Sequence, residues 1–142
     1  MTSYFCNEAA IELPNVYGLV DLTRQCLEIR TEDGADLQLV IERPRPTANP
    51  SVAASVEASV AERRRSLRGF ELLSAIEREY PEVTGTEVRV TFIDKERGPL
   101  FAHEFHCLID RTQLVYQCSC RMPYAAICDQ WMQTTLLSLK RR

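Results

Sequence analysis

The residues best suited to chemistry lie in one stretch, FAHEFHCLIDRTQLVYQCSC, residues 101–120. It carries both histidines of the chain, His103 and His106, and Cys107, Cys118 and Cys120 of its six cysteines. Imidazole and thiolate are the usual ligands of zinc, and a Cys–His pair is a common nucleophile and base. Spacing decides between these readings. The stretch reads as two strands, and successive strand side chains point to opposite faces. His103, Phe105, Cys107 and Ile109 then share one face, and Ala102, Glu104, His106 and Leu108 the other, so the histidines point apart. In the second strand Leu114, Tyr116, Cys118 and Cys120 share a face, and Val115, Gln117 and Ser119 the opposite one. A turn near Arg111 and Thr112 would set Ile109 opposite Leu114 and Phe105 opposite Cys118, with His103 approaching Cys120. That gathers too few ligands for a structural zinc site, and it puts the thiols on an apolar face where the thiolate is disfavoured. No nucleophile elbow, phosphate-binding glycine loop or spaced carboxylate pair stands elsewhere. Glu8, Glu12, Asp21, Asp94 and Asp110 fall on expected turns or exposed strand positions. The expectation is a protein that is not an enzyme, with no metal and no cofactor, whose cysteines are reduced and packed as small hydrophobes.

The elements that must carry this stretch follow from the rest of the chain. Its 142 residues suffice for a single domain, residues 1–142, with one core. No run approaches the ~20 apolar residues that span a bilayer. The opening MTSYFC lacks the basic and apolar segments of a secretory signal, so the expected compartment is the cytoplasm. A net charge of −3 argues against nucleic acid as a partner. The basic cluster ERRRSLR, residues 62–68, suits the C-terminal end of a helix.

Residues 4–13 read as a first strand ended by Pro14, with a turn around Asn15 to Gly18, and residues 20–31 as a second strand. EDG at 32–34 signals a hairpin, and DLQLVIER then alternates, with Leu37, Leu39 and Ile41 facing one way and Gln38, Val40 and Glu42 the other. After a Pro-rich connector, Asn49 and Pro50 are expected to cap a helix that runs to about Arg68, with Val52, Val56, Val60 and Leu67 as its apolar stripe and Gly69 as its stop. Phe70 to Glu79 reads as a strand with Leu72 and Ile76 in register. TEVRVTFI reads as the next, with Val88, Val90 and Phe92 inside and Glu87, Arg89 and Thr91 outside. DKERG, residues 94–98, is a hairpin loop, and residues 124–139 form a last helix with Ile127, Cys128, Trp131, Met132, Thr135 and Leu139 as its buried stripe. Short connections imply an antiparallel sheet. The expected fold is α+β: an antiparallel sheet of six to seven strands with two helices on one face. The other face stays open, and Gln38, Val40, Thr91, His106, Leu108, Val115, Gln117 and Ser119 are its candidate partner-binding residues, a mixture of aliphatic and neutral hydrogen-bonding groups.

The order YFCNEAAIELP, VDLTRQCLEI, LQLVIER, helix, GFELL resembles the DcrB-like proteins, and within them the cytoplasmic Eag (effector-associated) chaperones of bacterial type VI secretion. The matching features are Asn7 and Glu8, Ile11, Leu13 and Pro14, Asp21 with Thr23, the strand ending in Arg43, Phe70 after the helix and Gly85 before the next strand. The chain departs from the pattern at Leu22-Thr23 and in the Pro-rich connector. The resemblance implies a curved antiparallel sheet with helices on one side, of Mog1/PsbP-like fold, a homodimer, and a function: to bind and shield the apolar N-terminal transmembrane segment of a cognate PAAR-type effector and support its loading on the secretion spike, without stable membrane insertion. The alternative is a general DcrB- or PsbP-like domain that docks on a folded envelope or secretion partner.

Overall fold

The computed structural model describes residues 2–5, 10–13, 22–44 and 49–141, with the side chains at 2–5, 10, 11 and 13 left aside. Cys6, Asn7, Glu8, Pro14, the turn at 15–18, Asp21 and the connector residues 45–48 lie outside the described residues. The strands are β1 (Thr2–Phe5), β2 (Ala10–Leu13), β3 (Arg24–Arg30), β4 (Asp36–Glu42), β5 (Arg68–Glu79), β6 (Thr84–Asp94), β7 (Gly98–Ile109) and β8 (Thr112–Arg121), with helices α1 (Val52–Ser66) and α2 (Ala125–Leu137). A 3₁₀ turn, Met122–Tyr124, leads into α2. The fold is α+β, as the alternation predicts. Six strands pair antiparallel in the order β3-β4-β8-β7-β6-β5, and β1 pairs with β2 as a separate hairpin where a single strand at 4–13 was expected.

The expectation of both helices on one face is overturned. Asp129 of α2 meets His103, while Ser55 and Arg63 of α1 meet His106 and Glu104, and those residues alternate along β7. The helices therefore cover opposite faces. The reason lies in β7, which with β8 runs through the middle of the sheet. Phe101 to Cys107 are all buried, so both faces of the strand need a cover. The Glu104/His106 side looks solvent-facing in the sequence because its residues are polar, yet it is buried by pairing with α1.

On the α2 face, Cys128, Met132 and Leu136 of the helix close over Leu37, Leu39, Phe101, Phe105, Cys107, Leu114, Cys118 and Cys120 in one continuous core. Of the expected stripe Cys128 and Met132 are fully buried, Ile127, Trp131 and Leu139 pack partly buried against the same core, and Leu136 is added. On the α1 face the core is small: Val88, Val90 and Ala102, with Val56, Phe70 and Phe92 against them. No residue of α1 is buried.

Local chemistry moved several boundaries. Ser51, not Asn49, caps α1, its Oγ accepting from Ala54 N at 3.0 Å, which leaves Pro50 ahead of the cap. Gly69 does adopt the left-handed region (φ 62°), but inside β5, where the pairing with β6 shifts register between Arg68 and Glu71. A second shift between Leu72 and Ser74 sends Leu72 towards α1 and Ile76 to the other face, so the two are not in register. The β7–β8 turn is the two-residue Asp110-Arg111, both at positive φ (50° and 67°), the geometry of a tight hairpin. It sets Phe105 opposite Tyr116 and His103 opposite Cys118, two residues from the expected register. A shift of two preserves facing, so the parity argument stands. Gly85 opposite Cys107 is required by close approach: a Cβ there would run into the His106 carbonyl oxygen and the Phe105 ring edge.

Candidate functional site

Strand β7 places its two histidines back to back, and each is tied to a carboxylate and an arginine. On the α1 face Glu104 is 1% exposed and His106 0%. Arg63 holds the Glu104 carboxylate with both terminal nitrogens, the Nη2–Oε1 arm at 2.9 Å, and His106 Nε2 lies 3.0 Å from Glu104 Oε1. An ionised carboxylate only accepts, so Nε2 carries the hydrogen and donates. In the neutral imidazole Nδ1 is then the acceptor, and Ser55 Oγ, 2.9 Å away, donates to it. Gln113 Nε2 donates to the Ser51 carbonyl at 3.2 Å, and the Arg63 guanidinium lies over the Phe70 ring, 5.3 Å from its centroid. These are the ties of α1 to the sheet besides the Val56 contact.

On the α2 face His103 Nδ1 meets Asp129 Oδ1 at 2.7 Å, and Arg89 Nη2 donates to Asp129 Oδ2 at 2.7 Å. His103 Nε2 faces Glu87 Oε2 at 3.7 Å, beyond hydrogen-bond length, and Arg78 Nε approaches the same oxygen at 3.3 Å. Among the described residues no three His, Cys, Asp or Glu side chains converge to hold a metal ion. The thiols of this face are not poised as nucleophiles. Burial pushes Cys107 up to about 12, and Cys120 and Cys128 are also raised, first by their thiol contacts and then by burial.

One of the open clefts of the molecule lies beside α1. A cleft of about 600 Å³ runs between that helix and β8. One wall is Ala54, Ser55, Ala58, Ser59, Glu62 and Arg63; the floor and other wall include Glu104, His106, Gln113, Val115 and Gln117. The N-terminal part of that wall is open because Ala54, Ser55, Ala58 and Ser59 are small and one helical turn apart, while Glu62 and Arg63 close its far end with charge.

Of the eight candidate residues, His106, Val115 and Gln117 line this cleft. His106 does so as a fully buried anchor of α1 and not as an exposed contact. Gln38, Val40 and Ser119 share the same sheet face on β4 and β8, Gln38 opposite Ser119 and Val40 opposite Gln117, but outside the cleft. Val40 and Ser119 are buried, and Gln38 donates to Cys26 Sγ at 3.4 Å. Leu108 sits opposite Gln113 at the end of β7. Thr91 is a correction: it pairs with Phe101 and so belongs to the α2 face. Its polarity suggests the open face, whereas facing across strands is set by register and not by polarity. Sequence reasoning missed Ser55, Ala58, Ser59 and Arg63. Their signal was present: small residues at helical spacing beside a stripe too weak to bury its helix.

No family model matches the chain, and no curated protein matches it. The fold is shared with a solved structure, a Pseudomonas aeruginosa protein of unknown function with a suggested role as a regulator. It is 16% identical, with a TM-score of 0.77 over 100% of this chain and 97% of that one.

Proposed function

We propose that this protein is a cytoplasmic effector chaperone and adaptor of the DcrB-like Eag kind, which as a homodimer shelters the N-terminal transmembrane segment of a type VI secretion effector and supports its loading on the spike. The observation that carries the reading is the α1–β8 cleft: a wall of Ala54, Ser55, Ala58 and Ser59 facing Val115, Gln113 and Gln117. Small residues at helical spacing let another helix backbone approach closely. A spanning segment exposes ~20 apolar residues, each costing roughly 1.5–3 kcal/mol in water when large. The α1 wall of the cleft runs from Ala54 to Arg63, about 14 Å of helix, so it takes a stretch of two to three turns of such a segment. Its amides and hydroxyls can pair with the small polar groups of a client and keep the empty wall hydrated. A mixed surface also binds less tightly than a dry one, which suits a client that must be released. No helix among the described residues is long and apolar enough to cross a membrane itself.

The test is co-expression with the N-terminal apolar segment of a spike-associated effector encoded beside this gene. The segment stays soluble with the wild type and precipitates with Ala58→Trp, which fills the cleft from an exposed helix position. Equal precipitation with and without this protein overturns the chaperone reading. Equal rescue by Ala58→Trp moves the client away from this cleft. The second reading, docking on a folded envelope or secretion partner, is favoured by the apolar residues exposed along β5 and is selected if a folded partner co-purifies equally with wild type and Ala58→Trp.

A further inference from the structure

Strand β5 ends the six-stranded sheet, so among the described residues one row of its backbone N–H and C=O groups has no partner strand. Such edges are normally blunted. Here the two register shifts bend the first half, up to Ser74, but Ser74 to Glu79 pairs regularly with β6 from Arg89 to Thr84 and presents a straight template. Leu73 is 48% exposed and Ile76 45%. Beside this edge a second groove of about 610 Å³ runs between β5 and α1. Val56 and Val60 of the helix and Leu72 and Ala75 of the strand form its apolar middle. Its ends carry opposite charge. Ser55 anchors on His106, which pairs across to Thr86 and then to Glu77, so the N-terminal part of α1, with Glu57, lies level with Glu77. Arg64, two turns further along α1, lies towards Leu72.

We infer that the free edge of β5 and the β5–α1 groove form a peptide-docking site that takes an extended partner segment as an added strand, with aliphatic side chains on alternate residues and a basic residue at the end that meets Glu57 and Glu77. An unpaired strand edge demands backbone hydrogen bonds, which an extended segment supplies and a helix does not. Alternate side chains of the added strand fall over the groove, where Leu72, Ala75 and Glu77 already point. A second copy of this chain fits less well, because pairing Ser74–Glu79 with itself crowds Glu77 and Glu79 of both copies together. The site is separate from the α1–β8 cleft and stands whether or not that cleft holds a client.

The experiment is an amide NMR titration of the full chain with the blocked peptide Val-Thr-Val-Thr-Val-Thr-Lys. Its valines and its lysine all project to one side. Shifts are expected at Ser74 to Glu79 and at Val56 and Val60. Binding should weaken about tenfold with a terminal Glu in place of Lys, and Glu77→Lys should reverse that preference. Ala75→Asp, at an exposed position, should abolish binding, while Ala58→Trp should leave it unchanged. Shifts confined to the α1–β8 cleft, or no shifts at the solubility limit, overturn the proposal. Slow exchange of the 74–79 amides in the free protein with concentration-dependent self-association also overturns it, since a second copy then covers the edge.

Discussion

The two sides of strand β7 solve the same problem in opposite ways. Towards α2 it shows Phe101, His103, Phe105 and Cys107; towards α1 it shows Ala102, Glu104, His106 and Leu108. Both sides tie a buried histidine to a carboxylate and an arginine, with the parts exchanged. On the α2 side the helix supplies the carboxylate, Asp129, and the sheet the arginine, Arg89; on the α1 side the sheet supplies Glu104 and the helix Arg63. The difference is what surrounds the triad. The α2 triad sits at the margin of a core that Cys128, Met132 and Leu136 would hold without it. The α1 triad stands beside a cleft and fastens a helix none of whose own residues is fully buried. Apolar burial is non-directional and strong; an ion triad holds one geometry and is lost as a unit. The α2 side is therefore held by a continuous apolar core, and the α1 side by a small one and its polar ties.

The sharpest way to break that comparison is core truncation. Phe105→Ala, at a fully buried ring, should cost about 3–5 kcal/mol in urea unfolding, whereas Val56→Ala under α1 should cost about 1 kcal/mol. Equal losses would mean that α1 is as much scaffold as α2. Next in size is the α1 triad. Arg63→Met leaves Glu104 buried without its cation, and a loss of about 2–4 kcal/mol is expected, together with loss of hydrogen-exchange protection over residues 52–66. Adding Glu104→Met should recover most of it. On the α2 side Asp129→Asn keeps an acceptor for His103 and should cost only about 1 kcal/mol, with α2 protection retained.

A third contrast is alkaline pH. Cys107 is raised to about 12 by burial, Cys120 and Cys128 are raised by thiol contacts and burial, and desolvation raises Tyr80 and Tyr116. All five pack in the α2-side core. Each binds its proton more tightly folded than unfolded, so the stability it contributes is complete below its unfolded pKa and is lost as pH rises towards the folded one. Stability should fall from about pH 9 upward, with near-UV signals of the α2 side lost first. Loss of α1 helicity ahead of them would contradict the comparison. The smallest expected effect is that of Ala58→Trp on stability, within about 0.5 kcal/mol by thermal melting, which is what makes it a clean block of the cleft.

Much of the architecture was legible from alternation. Strands β4, β6, β7 and β8, the hairpin at 94–98 and the last helix follow from residue period and turn chemistry, and the opposed facing of His103 and His106 needed only strand parity. The bulges of β5 were not legible, because Gly69 reads equally as a helix stop and as a bulge glycine until a partner strand is present. The cap of α1 moved from Asn49 to Ser51 because both are good caps and only the chain path chooses. The candidate site was half legible. His106, Val115 and Gln117 were placed on the right face, Thr91 on the wrong one, and the helix wall was missed because Ala and Ser carry no chemistry of their own.

By itself the sequence determined which side chains share a face within each unbulged strand, as in β7 and β8. That information is local: strand parity is set by backbone geometry, one residue after the next. It also determined that the stretch FAHEFHCLIDRTQLVYQCSC is a hairpin with one sulfur- and aromatic-rich side. Only the tertiary structure decided what each face meets. The polarity of Glu104 and His106 reads as exposure until Arg63 and Ser55, 41 and 51 residues away, arrive to pair with them. A buried charge and a solvated one are the same residue in a sequence; the partner that makes burial tolerable is supplied by the fold.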